Sequence, residues 1–128
     1  MAYHFSKKIK ASFPEAVKKV TEALKSEGFG IITTIDMKET LKKKLDIDFR
    51  DYIILGACNP LFAFEALQAD DKTGVLLPCN VTVQSHHIGE VEVSVVNPED
   101  MMKSTDNVKL KAFAVDIKKS LLKVLDSL

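Results

Sequence analysis

Between Val75 and Val96 apolar and polar residues take turns with a period of two, and no other feature restricts the fold as tightly. Cys79, Val81 and Val83 alternate with Asn80, Thr82 and Gln84; beyond a break, Val91, Val93 and Val95 alternate with Glu90, Glu92 and Ser94. Successive strand residues point to opposite faces. Strands over Val75–Ser85 and Glu90–Val96 therefore form an antiparallel hairpin, with one face on a core and the other in water. Something else in the chain must supply the other side of that core.

The helices that do so announce themselves by their caps. Ser12 followed by Glu15 is a capping box, and Phe13, Val17, Val20 and Leu24 recur on one helical face until Gly28 provides a left-handed stop. Asp36 and Glu39 repeat the cap spacing and open a short helix to about Leu45, whose Lys42–Lys44 run reads as a solvated face. Asn59 and Pro60 suit the N-cap and first position of a helix over residues 61–69, LFAFEALQA, which is apolar nearly all round. The last helix runs from about Val108 to the C-terminus. Leu110, Ala114, Ile117, Leu121, Val124 and Leu128 form its stripe, and a second row of Val108, Ala112, Val115 and Leu122 widens it. The remaining strands are residues 2–10, a second in which Phe29, Ile31, Thr33 and Ile35 share a side, and the apolar run Tyr52–Cys58, expected to be covered on both faces. The order is β-α-β-α-β-α-β-β-α. Without glycine-rich phosphate loops, and with a clean hairpin, it reads as α+β in one domain, residues 1–128.

Charge excludes some functions. Eighteen basic residues balance eighteen acidic ones, whereas a duplex-DNA binder draws much of its affinity from a basic excess. Glu90 and Glu92 on the outward hairpin face would repel phosphate, so no nucleic-acid partner is expected. No apolar run approaches the roughly 20 residues that span a bilayer, so no membrane is expected either. The first residues, MAYHFSKKIK, lack a secretory h-region, and two cysteines make no disulfide scaffold. A cytoplasmic setting is the expectation.

Taken together, GFGI at 28–31, GACNP at 56–60, LLPCNVTV at 76–83 and NPEDMM at 97–102 resemble, in order and spacing, the domain-of-unknown-function family 302 of bacteria and archaea. The resemblance spans nearly the whole chain. It implies a TBP-like β-α-β(4)-α fold, a curved antiparallel sheet packed against a long C-terminal helix with short inserted helices, often paired as dimers. It implies no activity.

Candidate chemistry then rests on individual side chains. His86 and His87 occupy the hairpin turn in this reading, and Cys79 is on the order of 23 Å from His86 at about 3.3 Å per strand residue, so they share no metal. If Tyr52–Cys58 pairs antiparallel with the hairpin, Cys58 approaches Cys79, and the return strand delivers Met101 and Met102 to the same end. Four sulfurs there suit a soft metal or thiol redox chemistry, while the simpler reading is a core filled by adaptable sulfur residues. Gly56 would permit close approach of a ligand, and Asn59 stands beside it. No Gly-x-Ser-x-Gly elbow or phosphate loop occurs, and His4 qualifies as a base only if it faces a cleft. The expectation is a non-catalytic binding domain with no cofactor and no resident metal. Its ligand is a small molecule or a protein partner, met by Gly56, Cys58, Asn59, Cys79, Met101 and Met102. The apolar helix at 61–69 predicts a homodimer, with Phe62 or Phe64 in the interface or over a pocket.

Overall fold

The computed structural model describes residues 2–128. Five strands form one antiparallel sheet in the order β1-β5-β4-β3-β2: β1 His4–Lys10, β2 Gly30–Asp36, β3 Tyr52–Cys58, β4 Cys79–His87 and β5 Glu90–Val96. The helices are α1 Phe13–Ser26, α2 Met37–Leu45, α3 Pro60–Ala69, the single turn α4 Pro98–Met101, and α5 Val108–Asp126. The architecture is α+β. One strand and a helix, then four successive strands paired as neighbours, then a closing helix reproduce the order that the family resemblance implies, with α2, α3 and α4 as the short insertions.

Local chemistry sets the helix ends. Ser12 Oγ accepts from the Glu15 amide at 3.3 Å, Asp36 Oδ1 from Glu39 at 3.0 Å, and Asn59 Oδ1 from Phe62 at 3.3 Å. α1 closes as its pattern requires: Gly28 sits at φ +85°, its amide donates to Lys25 O, and the Phe29 amide donates to Leu24 O. This pairing leaves two terminal carbonyls satisfied and drops Phe29 onto Leu24 in the core.

The hairpin behaves as its alternation predicts. Cys79, Val81 and Val83 on β4 and Val91, Val93 and Val95 on β5 are buried, and α1 and α5 cover them with Ala16, Val20, Leu24, Ile117, Leu121 and Val124. A lysine on this inward side of an edge strand, Lys7, is accommodated because its ammonium reaches the end of α5, donating to Leu125 O at 3.1 Å and Leu128 O at 2.9 Å. Cations favour that negative helix end.

Four expectations fail, each for a packing or turn reason. Residues 71–76 form a 3-10 turn rather than the start of β4. Asp70 caps it by accepting from Lys72 N, Thr73 Oγ1 ties it to Asp70 O, and Pro78 has no amide to give a ladder. In β2 a bulge at Ile32 separates Ile31, opposite Ala57 on the core side, from Thr33 and Ile35, opposite Gly56 and Ile54 on the other face. The four residues Phe29, Ile31, Thr33 and Ile35 therefore do not share a side, since an extra residue reverses the alternation. β3 is fully covered only at Leu55–Ala57, while Tyr52 and Ile54 are half-buried on the outward face. On α5 the first stripe is buried or half-buried, yet Val108, Ala112 and Val115 of the second row are exposed, because only one stripe of that helix meets the sheet.

Candidate functional site

β3 ends where β4 begins, so Ala57 lies directly opposite Cys79, and Cys58 is one residue further along. Past Cys58 the chain turns through Asn59 into α3, and past β5 it turns through Asn97 into α4, carrying Met101 and Met102 to the same end of the sheet. α3 and α5 roof this end, with Phe62 and Phe113 in edge-to-face contact at 6.2 Å between ring centres. The result is a cavity of about 310 Å³. Its walls are carbon and sulfur almost throughout. Cys58, Cys79, Met101 and Met102 all line it, and Asn59 stands at its edge with its carbonyl oxygen engaged by α3.

Five of the six residues expected at a site thus come together. Gly56 does not line the cavity. The close approach made possible by its missing side chain comes from the chain itself: a Cβ there would collide with Thr33 Oγ1 and lie 2.8 Å from Pro78 Cγ. The histidines do not form the turn, which falls at Ile88 and Gly89, where Gly89 supplies the positive φ; they end β4 at its other end, both exposed, with His86 Nε2 3.4 Å from Glu92.

The two thiols differ. Cys58 is half-buried, and Cys79 is only 7% exposed. Burial first, and the neighbouring Cys58 second, push the Cys79 thiol from 9.0 up to about 11. A thiol in that range stays protonated at neutral pH, which removes the nucleophilic form. Among the described residues no group of three or more His, Cys, Asp or Glu could hold a metal ion.

Sequence reasoning assigned much of this lining elsewhere. Phe62 was expected in a dimer interface or over a pocket, and it lines this cavity; Ala66, Leu110 and Ala114 were read only as helix residues, and Phe113 was not singled out. The available signal was α3, apolar nearly all round, which has more faces than one sheet can cover. Phe62 turns inward onto the cavity, whereas Phe64 is 61% exposed.

The family described as "Domain of unknown function DUF302" matches residues 5–128. The chain belongs to the DUF302 family. A crystal structure of an uncharacterized conserved DUF302 protein from Bacillus stearothermophilus is similar to it, with a TM-score of 0.90 and 29% identity over 99% of this chain and 98% of that one. Comparison with curated proteins gives no match. Among the described residues, no helix of this DUF302 chain is long and apolar enough to cross a membrane.

Proposed function

We propose that this DUF302 chain is a non-catalytic binding protein whose ligand is a small apolar molecule held under α3. One observation carries the reading: a partly open cavity of about 310 Å³ walled by sulfur, aromatic rings and alanines. Its size is at the lower end of ligand sites, roughly 300–1,000 Å³. The alanines matter because they keep the space open. Ala66 and Ala114 are nearly fully buried, and a larger residue at either would fill it. Thiol redox chemistry or soft-metal binding is the alternative; the clustered sulfurs favour it, and the protonated state of Cys79 opposes it.

The test is native mass spectrometry of protein from its own host, joined to methyl NMR of Met101 and Met102 during titration with indole. Retained mass or saturable methyl shifts, both abolished in Ala66→Phe, support the reading. Silent methyls and a bare protein mass end it.

The same α3 supplies the reason to propose a homodimer. Leu61 and Phe64, 65% and 61% exposed, form an apolar surface that continues to Leu67 at the cavity rim, on a helix whose one charged residue is Glu65. Sedimentation should give a dimer at micromolar concentration and a monomer for Phe64→Glu; a monomeric parent protein excludes it.

A further inference from the structure

The outward face of the sheet contains a second hollow, of about 450 Å³, built almost wholly from strand residues and separate from the sulfur-lined cavity. Its lining carries far more polar groups than that cavity's. Ser6, Ser94 and Thr82 lie directly opposite one another across β1, β5 and β4, forming a row of three hydroxyls. Ser6 Oγ is 2.7 Å from Ser94 Oγ and 2.9 Å from His4 Nδ1, so imidazole and two serines form one hydrogen-bonded chain. His4 therefore does face a cleft. Asn80 and Gln84 add amides along β4.

An ordinary solvated sheet face carries long charged side chains that fill the space above it. Here the central positions are short and uncharged, and that leaves the hollow. Lysine and arginine are missing from the lining, and its one carboxylate is Glu92. The nearest cation, Arg50, is engaged by Gln84 and by the Phe49 and Tyr52 rings rather than presented to the hollow, and Glu92 opposes phosphate and carboxylate.

Neighbouring groups hold the polar atoms in place. Arg50 Nε donates to Gln84 Oε1 at 3.0 Å, which fixes the Gln84 side chain, and the same guanidinium lies 4.4 Å over Phe49 and 5.8 Å over Tyr52. At the opposite rim Tyr3 is 71% exposed, yet its carbonyl accepts from the Asn97 amide at 2.8 Å and its ring meets His4 at 4.7 Å. An exposed but anchored aromatic ring beside uncharged donors and acceptors offers a flat apolar surface next to a hydrogen-bonding one.

We propose that this hollow binds a neutral, hydroxyl-rich ligand of mono- or disaccharide size, with Ser6, Ser94, Asn80 and Gln84 pairing to its hydroxyls and Tyr3 packing on its apolar ring face. The site is independent of the apolar ligand beneath α3. Backbone amide NMR titration tests it, using glucose, N-acetylglucosamine, cellobiose, maltose and lactose at up to about 50 mM, a range that reaches weak millimolar binding. Glucose 6-phosphate and adenosine monophosphate form a second arm. At least one neutral sugar should give saturable shifts on β1, β4 and β5 around Ser6, Thr82 and Ser94. Affinity should fall about three- to tenfold in Asn80→Ala and in Ser94→Ala, each removing one hydrogen bond, and also in Tyr3→Ala, while amide spectra keep their dispersion. No saturable shift with any neutral sugar overturns the proposal. So do shifts that survive all three substitutions, or tighter binding of either phosphate compound.

Discussion

The two hollows of this molecule share a strand. Cys79 opens into the apolar cavity under α3, and Asn80, the next residue, lines the polar hollow on the opposite face. Nothing in the backbone distinguishes them, since both belong to β4. What differs is what lies above each face. Helices exclude water from one side, so its lining is carbon and sulfur and its thiol resists ionisation. The other side stays open to water, so its hydroxyls and amides remain solvated until a ligand replaces that water. A period-two pattern thus builds two unlike surfaces from one stretch of chain.

The sharpest way to break this comparison is to place the same charge on neighbouring residues. Val81 is 0% exposed, so Val81→Asp buries a carboxylate without a partner and should cost at least about 4 kcal/mol, enough to unfold most of the protein. Thr82→Asp, on the polar face, should change stability by no more than about 1 kcal/mol. Urea denaturation of both variants is the measurement, and equal losses would mean that the outward face is covered.

Gly56 comes next in size. Gly56→Ala should cost about 2–3 kcal/mol because its Cβ meets Thr33 and Pro78. Thr33→Ala in the same chain should recover part of that loss, as a double-mutant cycle in urea would reveal; an unchanged midpoint for the single variant would show that the strands move apart freely.

The smallest effect is the pH dependence of the buried thiol. Cys79 titrates at about 11 in the folded chain and at the ordinary 9.0 when unfolded. The folded state holds its proton longer, so this contribution is fully present below pH 9 and is lost as pH rises toward about 11. Its upper bound is about 3 kcal/mol, of which only about half is lost by pH 10. Cys79→Ala should flatten the fall in stability across that window relative to the parent, and Cys58 should react with a thiol reagent before Cys79 does. Parallel pH profiles for the two proteins would mean that Cys79 is solvated after all.

The sequence was most legible where the determining interactions are local. Ser12, Asp36 and Asn59 cap helices because each needs only an amide three residues away. The alternation of β4 and β5 survives because one face is packed along its whole length. Other features were illegible because they depend on partners distant in sequence. The bulge at Ile32 reverses β2 only in relation to β3, and the exposure of Val108 and Val115 depends on which side of α5 meets the sheet.

For the candidate site, the meeting of Cys58, Cys79, Met101 and Met102 followed from antiparallel pairing and so could be read before any coordinates. The empty volume between them could not. A cavity is a shortfall of atoms among α3, α5 and the end of the sheet, and no single segment encodes it. The His4–Ser6–Ser94 chain has the same character, since residues 88 positions apart in sequence become neighbours only through the register of β1 on β5. By itself, then, the sequence determined the α+β class, the helix caps, the hairpin and the inward faces of β4 and β5, because these depend on short-range geometry and on burial. Tertiary structure alone decided where space is left over and what faces it, because packing distributes volume across the whole molecule at once.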